Sequence, residues 1–274
     1  MAWDTVGQFL LVAPTDVAHP ASSLLNPSEK FMEVVAFWVG CGVLAAGAII
    51  FGLGFRSAKR ETWEEFYLNN FIICSWASIA YLSMAMHLGQ LTLPGDQILG
   101  ATNPRHVYWA RYADWVVTTP IILYDLMKLS GVRPTVKKAV IYSDIAMIIT
   151  GLIAALSPYN QRLVWYIVSC MFEVAIFLML LGPVWTSARR QHHTVSKLFT
   201  QALTIFSVFF WCYPIVWILG NKGFGIYGSA VETVLILCLD VTAKVFYGLY
   251  LTRDREALQR VGELSRLEAA QASS

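Results

Sequence analysis

Arg111, Asp114, Thr118 and Asp125 stand in RYADWVVTTPIILYDL (111–126), a stretch otherwise apolar enough to lie in a membrane. Asp114 and Thr118 are one helical turn apart, and Asp125 follows two turns later. At about 3.6 residues per turn, the two aspartates fall within about 20° of one helix face and roughly 16 Å apart along the axis. Arg111 lies three residues before Asp114, on nearly the same face. The face therefore reads cation, acid, hydroxyl, acid. A second stretch, LDVTAKVFYG (239–248), sets Asp240 and Lys244 one turn apart near the middle of another apolar run. A charge there costs several kcal/mol. Lys244 must be paired, neutral or chemically modified.

The plainer reading is a structural network, with Lys244 neutralised by Asp240 and Arg111 by Asp114. Apolar packing is often as stable as a buried ion pair, so two helices with complementary charges at matching depth ask for more than a strut. A buried amine condenses with an aldehyde to form a Schiff base. Once protonated, that nitrogen needs a buried anion, which Asp114 and Asp240 supply. A proton can then pass from the nitrogen to a carboxylate, as general acid–base chemistry between groups held in different environments.

The elements that must position these groups follow from composition. The chain has 274 residues, 57% hydrophobic and only 14% charged. Soluble domains carry about 25% charged residues, so this is an integral membrane protein by composition. The net charge of +2 argues against a nucleic-acid partner, which needs a clustered basic face. Seven runs are long enough to span a bilayer, at about 31–55, 64–88, 106–129, 136–157, 161–185, 197–220 and 226–252. The longest connection, 89–105, reads as a hairpin around Pro94-Gly95-Asp96.

Loop charges set the orientation. Arg56, Lys59, Arg60, Lys128, Arg133, Lys137, Lys138, Arg189, Arg190, Lys197, Arg253 and Arg255 fall on one side, and Lys30, Arg105, Arg162 and Lys222 on the other. The bias predicts an outside N-terminus and a cytoplasmic C-terminus. The expected organisation is an extracellular segment 1–30, a transmembrane domain 31–252 and a cytoplasmic tail 253–274. In that tail, Leu258, Val261, Leu264 and Leu267 describe a short amphipathic helix, expected as a solvated cap. The N-terminus lacks a basic region and does not read as a cleaved signal peptide. Five cysteines inside apolar runs read as reduced thiols without metal-ligand spacing. No metal site is expected.

RYADWxxTTPxxLxDL and LDVTAK, occurring together in the third and seventh spans, resemble the microbial rhodopsins over about residues 31–252. The likeness is strongest to the bacteriorhodopsin-like proton pumps, including those of fungi and algae. It implies an all-α membrane protein, a bundle of seven transmembrane helices. It is not an enzyme but a pigment with all-trans retinal held as a protonated Schiff base on Lys244. The resemblance makes Asp114 the primary proton acceptor and Asp240 the second counterion. Arg111 would hold the outer half of that complex, and Thr118 would hydrogen-bond Asp114. Asp125 would return a proton to the Schiff base from the cytoplasmic side, with Asn70 in the place of a hydroxyl that bonds the donor. Tyr81 and Tyr213 match tyrosines around the counterions. Trp115, Thr119, Met147, Gly151, Tyr166, Ser169, Phe210, Tyr213 and Pro214 match positions that line retinal. Asp144 matches a protonated pocket support near Thr119. The implied partners are retinal, protons and the lipid bilayer of the plasma membrane, with a homo-oligomer, a trimer, as the assembly.

Several positions depart from the family pattern. Phe210 stands where tryptophan is usual, with Trp211 beside it, and Tyr166 stands in another tryptophan place. Glu173 falls at the expected ring end of retinal, where an ionised carboxylate is costly; it is expected protonated or turned outward. Glu232 matches one of two release glutamates, but Lys222 fills the place of the other. A cation there favours ionised Glu232 and predicts late or missing proton release. The leading expectation is a light-driven outward proton pump. The alternatives are a photosensor signalling to a partner and a light-gated cation channel. Asp125 favours the pump, because fast reloading matters only for turnover. Asp114 disfavours a chloride pump, and Thr118 with Asp125 departs from the sodium-pump motif.

Overall fold

The computed structural model describes residues 27–58, 60–93 and 105–272. Seven long helices follow the apolar runs: α1 (Pro27–Ser57), α2 (Glu61–Ala85), α3 (Trp109–Ser130), α4 (Pro134–Leu156), α5 (Tyr159–Ala188), α6 (His193–Leu219) and α7 (Ser229–Thr252). Six of them are apolar and long enough to cross a bilayer. The remaining one, α3, is 22 residues long and carries Arg111, Asp114, Asp125 and Lys128. Its charges, not its length, set it apart. Ends differ from the expected spans by a few residues, as polar first turns such as Glu61 and Glu64 in α2 join the helices.

Local chemistry explains the joints. Gly131 ends α3 in the left-handed region, at φ 63°, with its N–H on the Lys128 carbonyl, a conformation that a Cβ disfavours. Pro134 opens α4 in its first turn, where a missing N–H costs nothing. Two helices contain a wider turn, Leu180–Val184 around Pro183 in α5 and Thr242–Phe246 in α7. The second contains Lys244. Such turns insert a residue and re-aim the side chains on either side.

Between α2 and α3, strands β1 (Leu91–Leu93) and β2 (Arg105–Val107) pair antiparallel, with Thr92 opposite His106. The predicted tip, Pro94-Gly95-Asp96, lies outside the described residues. Neighbouring helices pack in sequence, and α1 closes the ring against α7. Large apolar side chains face outward, among them Ile49, Leu178, Val208 and Phe246, as a lipid-facing surface requires.

The tail corrects an expectation. The helix α8 (Arg255–Ala272) is not merely solvated: Ala257, Leu258 and Val261 are buried in the bundle's main core. Asp254 accepts the Ala257 N–H at 3.0 Å, and Arg255 lies over the Trp63 ring. Leu258→Ala is expected to destabilise this docking by about 2–4 kcal/mol. Hydrogen exchange across α8 should then accelerate, with exchange in α4 unchanged. Arg162 and Lys222, read as loop charges, are also buried. Arg162 donates to the Lys222 carbonyl at 2.9 Å and to the Ser157 carbonyl at 3.3 Å. Both main-chain carbonyls lie just past the ends of α4 and α6, where backbone oxygens lack intrahelical partners, and the guanidinium satisfies them.

Candidate functional site: a buried lysine between two aspartates

The wide turn of α7 places the Lys244 ammonium in the centre of the bundle. Its Nζ is 2.6 Å from Asp240 Oδ1 and 3.0 Å from Asp114 Oδ2. All three residues are essentially inaccessible to solvent. The two acids are served very differently. Asp240 accepts from Lys244, from Tyr81 at 2.7 Å, from Tyr213 at 2.9 Å and from Trp115 at 3.1 Å. Neither oxygen of Asp114 takes an aligned hydrogen bond among the described residues. Thr118, expected to hydrogen-bond Asp114, donates to the Asp114 main-chain carbonyl at 3.0 Å, the backbone acceptor one turn back that a helical threonine reaches without strain. Four donors hold Asp240 as an anion.

Glycine makes this arrangement possible at one point. A Cβ at Gly40 would overlap the Tyr81 ring, so α1 can approach α2 closely enough to fix the tyrosine that bonds Asp240.

At one end of the site, Arg111 turns away from Asp114. Its guanidinium donates to Thr233 at 2.8 Å and to Glu232 at 3.4 Å, and lies over the Tyr108 ring at 4.9 Å. Lys222 pairs with the same Glu232 oxygen. Glu232 thus faces two cations, as the Lys222 substitution implied. Tyr108 donates to Glu33 at 2.7 Å. Neither Thr233 nor Glu33 was singled out from sequence, although Thr233 adjoins Glu232.

At the other end, Asp125 is buried in a polar pocket of α2. Asn69 donates to its Oδ1 at 2.6 Å and Asn70 to its Oδ2 at 3.4 Å. The sequence pointed to Asn70, but the shorter bond comes from Asn69. Asn70 is drawn back by its own bond to the Phe66 carbonyl at 2.8 Å. The missed signal was the pair itself: two adjacent amides inside an apolar run. One turn before Asn69, Glu65 accepts from Tyr124 at 3.1 Å and pairs with Lys128. Lys128, read as a loop charge, is therefore committed to this cluster. On α7, one turn after Lys244, the buried Tyr247 hydroxyl has no partner among the described residues.

Beside the lysine lies a cavity between α3, α4, α5 and α6, lined mainly by apolar and aromatic side chains. Its walls include Trp115, Thr119, Met147, Gly151, Tyr166, Ser169, Phe210, Tyr213 and Pro214, all expected from sequence. Tyr81, expected around the counterions, donates to Asp240. Tyr112, Ile148, Cys170, Glu173 and Trp217 complete the lining. Trp115 and Tyr213 belong both to the cavity wall and to the donors on Asp240, so this wall is the lysine end. Tyr166 and Trp217 stack at 5.0 Å. Thr119 donates to Asp144 at 2.7 Å. Phe210 faces the cavity, whereas Trp211 points out and stacks on Phe177, so the neighbouring tryptophan does not replace the missing one. Glu173 is buried rather than turned outward. A flat aromatic slot ending at a buried amine fits a conjugated aldehyde such as retinal.

The Bacteriorhodopsin-like protein family matches residues 31–258. The chain is 34% identical to bacteriorhodopsin of Haloterrigena sp. (strain arg-4) over 248 residues, covering 89% of this chain and 95% of that protein. It is 33% identical to archaerhodopsin-3 of Halorubrum sodomense, over 81% of this chain and 85% of that protein. Among solved structures, a cyanorhodopsin from Calothrix sp. NIES-2098 superposes with a TM-score of 0.79 at 35% identity, covering 84% of this chain and 98% of that one. The light-driven proton pump Coccomyxa subellipsoidea Rhodopsin superposes with a TM-score of 0.76 at 30% identity, covering 82% and 97%. A seven-helix bundle, a lysine buried between two aspartates and these likenesses agree: the chain belongs to the bacteriorhodopsin-like family of microbial rhodopsins.

Proposed function

We propose that this membrane protein is a light-driven outward proton pump of the plasma membrane, carrying all-trans retinal covalently on Lys244. The observation that carries the reading is the unequal treatment of the two acids around Lys244: Asp240 has four donors, Asp114 none that is aligned. Such asymmetry gives one acid the task of staying charged and the other the task of taking a proton. The residues around the slot fit retinal, with Trp115, Tyr166, Phe210, Tyr213 and Trp217 as its walls. When bound, retinal supplies absorption of visible light and an isomerisation that reorients and acidifies the Lys244 nitrogen.

Lys244 then gives its proton to Asp114, 3.0 Å away. Asp240 stays ionised throughout, because Tyr81, Tyr213 and Trp115 solvate it. Arg111, bound to Thr233 and Glu232, marks the exit side. Swinging toward Asp114 would let its charge favour loss of the acid's new proton outward. Asp125 gives the replacement proton from the opposite end. Asn69 and Asn70 fix its orientation. Glu65 and Lys128, partly open to solvent, stand between Asp125 and the inner surface and would reload it. Glu232, already neutralised by Lys222 and Arg111, is a poor proton store, so release to the medium follows late in the cycle.

Asp125→Asn is the test of direction. After a flash, the return of the proton to the Lys244 nitrogen, read by absorbance, is expected to slow about 100-fold. Azide, a small diffusible acid, is expected to restore the rate. Unchanged kinetics in Asp125→Asn would remove Asp125 from the cycle and turn the reading toward a sensor or a channel.

A further inference from the structure

The far end of the cavity carries a carboxyl group that the pumping cycle does not use. Glu173 is on α5, lines the cavity, and is 3% exposed. Its Oε1 is buried and has no hydrogen-bond partner among the described residues. Every other hydroxyl and indole in the wall is engaged with protein. Thr119 donates to Asp144, Ser169 to the Met147 carbonyl at 2.8 Å, and Tyr166 to the Pro214 carbonyl at 3.1 Å. Trp217 donates to the Tyr112 hydroxyl at 2.8 Å, and Trp115 and Tyr213 to Asp240. One unpartnered acid in an otherwise satisfied wall is a costly feature in an apolar slot. A ligand group that completes it removes the cost.

Lys244, and with it the aldehyde carbon of any bound retinal, is at the Trp115 and Tyr213 wall. Tyr213 there feels the charges of Asp240 and Asp114, whereas Glu173 feels none from Lys244, Asp114 or Asp240, so it lies away from the lysine and meets the ring end of the chromophore. We infer that the pocket is built for a retinal whose ring bears a hydroxyl group, held by Glu173. A hydroxyl is the matching group because it both donates and accepts. It satisfies a carboxylate, which only accepts, and a carboxylic acid, which does both. A ring ketone would satisfy only the acid form, and a bare hydrocarbon ring neither. The inference rests on Lys244 carrying a retinal, and it names which one.

Competitive loading tests it. Apoprotein produced without chromophore is given equal amounts of all-trans-retinal and all-trans-3-hydroxyretinal below saturation. The bound chromophores are then extracted and quantified. The wild-type protein is expected to take the hydroxylated form about fivefold over the plain one, the ratio that one added hydrogen bond supplies. Glu173→Gln, which still donates and accepts, should keep a preference. Glu173→Met, of similar size, should lose it and favour plain retinal, while its pigment yield with plain retinal alone reports that it folds. Equal uptake by the wild-type protein, or an undiminished preference in Glu173→Met, would overturn the inference while leaving retinal binding intact. Failure of both aldehydes to give pigment would instead overturn the retinal reading itself.

Discussion

Lys244→Ala is expected to yield colourless protein, with no visible band after retinal is added and the membranes are washed. Lys244 places its ammonium between Asp114 and Asp240, at 3.0 and 2.6 Å. Without it the covalent link has no nitrogen to form on. The substitution also leaves two buried carboxylates without their cation, which costs about 3–5 kcal/mol when a buried pair loses one partner. Lower yield is therefore expected along with lost colour. The two effects separate in a double variant, Lys244→Ala with Asp240→Asn, where yield recovers and colour does not. A washed, folded Lys244→Ala protein that kept its band would refute covalent attachment at this residue.

Asp114→Asn is expected to abolish light-driven transport, with at least a 100-fold loss of proton-transfer rate, while the protein still folds and binds retinal. Asp114 lacks aligned hydrogen bonds, so an amide of the same shape strands no donors. Its absorption band should move to longer wavelength, because one of the two anions that stabilise the positive charge near Lys244 has gone. Asp240 cannot substitute for it. Tyr81, Tyr213, Trp115 and Lys244 already occupy its oxygens, and those bonds hold it ionised. Spectra and initial rates of pH change on the same membranes check both effects. Transport within tenfold of wild type would show that another group takes the proton.

Much of this site was legible before any coordinates, because helix periodicity is rigid. Asp114 and Asp125 on one face of α3, and Asp240 one turn from Lys244, follow from spacing alone. The cavity residues were legible only through family likeness, since Met147 or Gly151 in isolation reads as ordinary core. What the sequence hid were choices between near-equivalent partners. Asn69 and Asn70 are neighbours, and only the helix rotation decides that Asn69 makes the shorter bond to Asp125. Thr118 had two acceptors within reach and took the backbone. Arg162 and Lys222 look like loop charges until the chain folds over them. There they satisfy main-chain carbonyls and Glu232. The docked face of α8 was visible as an amphipathic pattern, but periodicity does not say what an apolar stripe will meet.

The most direct test of the account is a light-induced pH measurement on an unbuffered suspension of cells that express the protein and have been given retinal. Illumination is predicted to acidify the medium, and a protonophore to abolish the change. Asp114→Asn cells of equal pigment content should give none. Visibly coloured wild-type cells that leave the medium unchanged, or alkalinise it through a protonophore-enhanced influx, would contradict outward pumping.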